Sequence, residues 1–104
     1  MAYKYDILLR RGTVVDYATD REDLLDVGIA DGKIVETAAD LNPSLAREVF
    51  DLTDQHVVPG IIDIHTHFSN WIGGRYGHKM LALAGVTTAL DMAGPVDGAW
   101  DLAR

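Results

Sequence analysis

The 104-residue chain contains no cysteine. That excludes a disulfide framework, a thiolate zinc site and a cysteine nucleophile. Positive charge is also scarce. Nine Lys and Arg stand against sixteen Asp and Glu, a formal net charge of −7. Such a chain repels phosphate backbones, so no nucleic-acid partner is expected. No apolar run approaches the ~20 residues that a membrane span needs, so no membrane role is expected. The opening residues, MAYKYDILLRR, set an acidic residue and an arginine pair around a short apolar run. They do not read as a signal peptide, and a soluble, cytoplasmic chain is the expectation. Internal repeats and low-complexity tracts are absent. What is present is an ordinary globular composition, 48% hydrophobic, with room for one small domain.

The first half reads as short strands joined by turns. Residues 7–9 are apolar and lead to Arg10-Arg11-Gly12, read as a turn, and the β-branched run 13–15 follows. Residues 17–22 are polar and read as a loop. Two apolar runs, 24–30 and 33–37, flank Asp31-Gly32. This is a strong hairpin signal, because both central positions of a type I′ turn need positive φ. Alternation of Val27 and Ile29 with Gly28 and Ala30 predicts one buried face. Asn42-Pro43-Ser44 opens a short helical turn, 48–51 reads as a strand, 53–55 as a turn, and Val57-Val58 leads to Pro59-Gly60.

After Pro59-Gly60 the pattern changes. Residues 61–68 form a strongly apolar strand interrupted by Asp63, His65 and His67. A Gly-containing loop is expected over 69–74. Tyr76, Met80, Leu83 and Ala84 then recur at helical spacing, with Gly85 placed as a C-cap. A second β-rich run covers 86–92, Gly94-Pro95 ends it, and 97–103 could open another helix. Strand, helix and strand in about thirty residues make a βαβ unit, whose strands run parallel. The expected organisation is mixed α/β, with one piece over 1–58 and another over 59–104.

Chemistry concentrates in Asp63-Ile64-His65-Thr66-His67. Residues two apart on a strand point the same way, ~6.6 Å apart. Asp63, His65 and His67 are therefore expected on one face, and Ile62, Ile64, Thr66 and Phe68 on the other. Two imidazoles at that spacing can converge on one divalent ion, and histidine suits zinc. Asp63 could orient a ligand from behind. The plain alternative, two polar histidines at a strand end, stays open on pattern alone. Other candidates are weaker. His78 reads as solvent-exposed, His56 as structural, and Gly73-Gly74 as a flexible turn. Trp71 and Tyr76 are undecided between core and rim, and Asp91 sits near the expected site mouth.

The run Pro-Gly-Ile-Ile-Asp-Ile-His-Thr-His (59–67) resembles the first barrel strand of the amidohydrolase superfamily. The resemblance continues over residues 7–16, 26–35, 49–51, 57–60 and 84–92. Asp54 stands where the family usually has Gly, and Asp tolerates the left-handed conformation that a turn there needs. The resemblance implies half of a small β-sandwich followed by the first β-α-β unit of an incomplete (β/α)8 TIM-like barrel. It implies His65 and His67 as metal ligands, Asp63 as the preceding acid, and a divalent metal, by expectation zinc, weakly bound or absent in the isolated chain. A bridging carboxylated lysine or glutamate, two further histidines and a late aspartate are not matched. A whole barrel takes ~250 residues.

Three readings compete. One is the N-terminal portion of a metal-dependent hydrolase acting on small-molecule amide, cyclic-amide or amine C–N bonds, inactive as this chain alone. Another is a non-catalytic truncated module that persists as a homo-oligomer. The third is a small two-histidine metal-binding protein.

Overall fold

The computed structural model describes residues 2–67 and 74–92. The chain divides into two compact units, Met1–Pro59 and Gly60–Arg104. Phe68, Trp71, Gly73, Gly94-Pro95 and the helix expected over 97–103 lie outside the described residues, as does nearly all of the expected loop 69–74.

The first unit is a five-stranded sheet. Strand β1 is Tyr5–Asp16, β2 Arg21–Ala30, β3 Lys33–Ala38, β4 Ala46–Asp51 and β5 His56–Val57. The order is β3-β2-β1-β4, and β5 also pairs with β1. The β1–β2 and β2–β3 pairs are antiparallel, whereas β4 and β5 run parallel to β1. Asp31 and Gly32 have φ of 51° and 71°, and Ala30 pairs with Lys33. This is the two-residue hairpin with positive φ at both centres that Asp-Gly specifies.

Two sequence expectations need correction here. Arg10-Arg11-Gly12 does not turn the chain. It lies inside β1 as a bulge, since Leu9 pairs with Val27 and Gly12 with Leu25, leaving Arg10 and Arg11 opposite Asp26 alone. Arg11 takes the left-handed conformation, φ 61°, that such an extra residue needs. The second correction is β2, which starts at Arg21 rather than Leu24 and buries Asp26, Val27 and Gly28 in succession. Strict alternation fails over this stretch because Asp26 is buried by its bonds to Arg10, Arg11 and Leu41 and Gly28 lies under the Tyr5 ring, while Val27 is 2% exposed between them. The Tyr5 ring packs so closely on Gly28 that a Cβ there would come within 2.6 Å of it.

The core of this unit is Tyr5, Leu8, Leu41 and Ala46. Leu41 reaches it through the connection before the 3-10 turn Pro43–Leu45, which Asn42 caps by accepting from the Ser44 N–H at 3.0 Å. Asp54 has φ 64°, the left-handed turn position expected of it.

The second unit contains β6, Ile61–Thr66, helix α1, Gly74–Leu83, and β7, Val86–Asp91. β6 and β7 pair in parallel with α1 between them in sequence. Gly85, φ 82°, closes the helix, its N–H donating to the Ala82 carbonyl at 3.1 Å. The apolar side chains here are less covered than a finished α/β layer makes them. Ile61, Ile62 and Ile64 of β6 and Tyr76, Met80 and Leu83 of α1 are all exposed. Among the described residues the only strand beside β6 is β7.

Candidate metal centre

The carboxyl ends of parallel strands are where α/β proteins place their ligand sites. β6 carries His65 as its next-to-last residue, and His67 follows the strand directly. Both rings are exposed. Their Nε2 atoms are 3.2 Å apart, with ring centroids at 5.1 Å and planes at 72°. In one tautomer this is a hydrogen bond. With both Nδ1 atoms protonated, both Nε2 lone pairs are available to one ion. Two nitrogens about 2.05 Å from a zinc ion and 3.2 Å from each other subtend about 100°, near the tetrahedral angle. The imidazole pair therefore fits a divalent metal. No group of three or more metal-ligating side chains gathers among the described residues.

Asp63 departs from the expected arrangement. Asp63 pairs with Ala89 and Thr66 with Asp91, so Ile64 and His65 face Leu90 alone. This extra residue breaks the strict alternation that placed Asp63 with the histidines. In register, Asp63 falls with Thr66, on the side of Ala89 and Asp91. Its Oδ1 accepts the backbone N–H of His65 at 3.1 Å. The carboxylate thus acts on the main chain of a histidine and not on its ring.

Thr66 was not singled out from the sequence. It is 9% exposed, and its hydroxyl donates to the Leu90 carbonyl at 2.9 Å. The available signal was a lone hydroxyl on an otherwise apolar strand face. Asp91 is half-buried opposite Thr66. His78 is exposed on α1, and the His56 Nε2 lies 3.8 Å from a Glu22 carboxylate oxygen, both side chains exposed.

Comparison with known proteins gives this geometry a context. No family model matches the chain. It is 39% identical over 93 residues to an allantoinase of Desulfitobacterium hafniense strain Y51, covering 85% of this chain and 20% of that protein. Among solved structures it resembles the L-hydantoinase (dihydropyrimidinase) of Arthrobacter aurescens, with a TM-score of 0.73 and 23% identity, over 85% of this chain and 20% of the other. A D-aminoacylase structure, described in terms of its binuclear metal centre, matches with a TM-score of 0.69 and 35% identity, over 84% and 18%.

These homologues point to the amidohydrolase superfamily, and the chain matches an N-terminal stretch of them, spanning about one fifth of their length. The mostly β first unit matches the β-sandwich N-terminal domain of those enzymes. No helix among the described residues is long and apolar enough to cross a membrane.

Proposed function

We propose that this chain is the N-terminal portion of a metal-dependent amidohydrolase that hydrolyses small amide or cyclic-amide C–N bonds. In this reading residues 1–58 contribute part of a β-sandwich, and 59–104 begin a (β/α)8 barrel. The observation that carries it is the Nε2–Nε2 separation of 3.2 Å at the carboxyl end of β6. That separation suits two ligands of one ion, in a chain similar to an allantoinase and to a D-aminoacylase with a metal centre. His65 and His67 hold the metal, with zinc the ion their chemistry favours. When bound, such an ion supplies Lewis-acid activation of water near neutral pH. The protein's own part is to present both imidazoles neutral, with their Nδ1 atoms protonated, from one rigid strand end.

Two surfaces support an incomplete assembly. The first unit carries an apolar cleft of about 400 Å³ that includes Val14, Val27, Ile34 and Val57. A second sheet layer would seat there. In the second unit, Ile62 and Ile64 of β6 lie open, whereas strands of parallel barrels are covered on both faces. Further strands cover them in a whole enzyme, and a second copy covers them in the isolated chain. The isolated chain is proposed to be inactive, since two imidazoles supply neither a proton shuttle nor a substrate pocket.

The test is a hybrid in which this chain replaces the matching stretch of the Desulfitobacterium allantoinase. The hybrid is expected to bind metal and catalyse the allantoinase reaction. The His65→Ala, His67→Ala double variant is expected to lose both. Undiminished metal content and turnover in the double variant would overturn the proposal.

A further inference from the structure

We propose that Thr66 is a positioning residue for the His65–His67 pair, an inference that rests on reading the pair as a metal site. The argument begins with the bulge. Between the Asp63–Ala89 and Thr66–Asp91 pairs, β6 has two residues where β7 has one. A bulge leaves backbone groups without their regular ladder partners, so those groups turn to side chains or to water. Side chains meet that need at this point. Asp63 Oδ1 accepts from the His65 N–H at 3.1 Å, and the Thr66 hydroxyl donates to the Leu90 carbonyl, opposite the bulge, at 2.9 Å. The Met92 N–H then donates to the Thr66 carbonyl at 3.0 Å.

Thr66 is thereby fastened to β7 by both its side chain and its main chain, and it sits between the two histidines. A regular strand holds residues two apart at ~6.6 Å. Ring nitrogens 3.2 Å apart therefore require a defined backbone from 65 to 67. Thr66 is 9% exposed, so water competes little for its hydroxyl. Bulges are found next to active sites, where they re-aim a side chain. Here the re-aimed side chains are the imidazoles, and Thr66 fixes the downstream end of the distortion.

The substitution that isolates this role is Thr66→Val, which keeps the shape and removes the donor, with Thr66→Ser restoring the hydroxyl. The first readout needs no metal: the ring-to-ring nuclear Overhauser contact between His65 and His67 in the 104-residue chain. It is expected to weaken several-fold in Thr66→Val and to survive in Thr66→Ser. Amide protection at Ile62 and Thr88 should be unchanged in both. An undiminished contact in Thr66→Val would overturn the proposal. So would loss of protection along all of β6 and β7, because Thr66 would then be a general strand fastener.

The second readout is cobalt(II) titration of the imidazole signals. A roughly tenfold or greater loss of affinity in Thr66→Val, rescued by Thr66→Ser, is the size expected for a group that orients a ligand. Unchanged affinity alongside a lost ring contact would overturn the functional part. If the rings pair in the wild type yet cobalt broadens neither, the metal reading fails while the positioning role stands.

Discussion

The carboxylate of Asp26 accepts the backbone N–H of Arg11 at 2.8 Å, at the point where β1 and β2 lose register. The same carboxylate accepts the Arg10 Nε at 3.1 Å and the Leu41 N–H at 2.9 Å. Asp26 is 1% exposed. One buried side chain thus holds the bulge of β1 and the segment that delivers Leu41 to the core. Arg10 is engaged on its other side by Asp40 at 2.6 Å.

Replacing Asp26 by alanine strands the Arg11 and Leu41 backbone donors and leaves the Arg10 guanidinium with Asp40 alone. The expected loss is about 3 kcal/mol or more of folding stability. Asp26→Asn, which keeps one acceptor oxygen, is expected to lose less. Urea denaturation of the two variants checks the order. Equal stability of Asp26→Ala and wild type would show that the clasp contributes nothing.

Acid is expected to weaken the same clasp. Burial pushes the Asp26 carboxyl up, but the N–H bonds from Leu41 and Arg11 and the Arg10 guanidinium together hold it below its ordinary value. A depressed carboxylate contributes stability that is fully present above its unfolded pKa, about 3.9, and lost as pH falls through the folded value. Stability should therefore fall below about pH 4 in the wild type, and fall less steeply in Asp26→Asn. Denaturation midpoints measured from pH 6 down to pH 2 test this, and parallel curves for the two proteins would refute it.

The turns carry a backbone prediction. Gly32 has φ 71° with open space around its Cα, so Gly32→Ala should cost about 1 kcal/mol through conformation alone. Asp54, φ 64°, should gain or hold stability on replacement by glycine. Thermal midpoints of both variants read the two signs, and a stabilised Gly32→Ala would contradict the turn assignment.

Association is the proposed fate of the open apolar positions. Ile64 is 69% exposed in a strand that also carries the β-branched Ile61, Ile62 and Thr66. Exposed apolar strand surface favours pairing with another chain. Light scattering of the 104-residue chain is expected to report more than one copy, and Ile64→Asp to shift it towards monomer. A well-folded monomer in the wild type would contradict the expectation.

Legibility in the sequence followed the locality of the physics. Asp31-Gly32, Asn42 and Gly85 act through their own backbone or that of near neighbours, so their turns and caps could be read directly. The bulges could not. Arg10-Arg11-Gly12 resembles a turn until Asp26, fifteen residues on, supplies its bonding partner. Likewise, the spacing of Asp63, His65 and His67 predicts a shared face only while β6 stays regular. The shift opposite Leu90 is a property of β6 and β7 together. The imidazoles were legible because their chemistry is rare on a strand, whereas Thr66 was hidden by an ordinary identity.

The central claim is that His65 and His67 form one metal-binding pair, and the chain's other two histidines provide the control. The measurement is the broadening of imidazole ring signals as cobalt(II) is added to the 104-residue chain. The account predicts that His65 and His67 broaden together and at the lowest concentrations, well before exposed His56 and His78. Broadening of all four in step, or of His56 or His78 first, would contradict it.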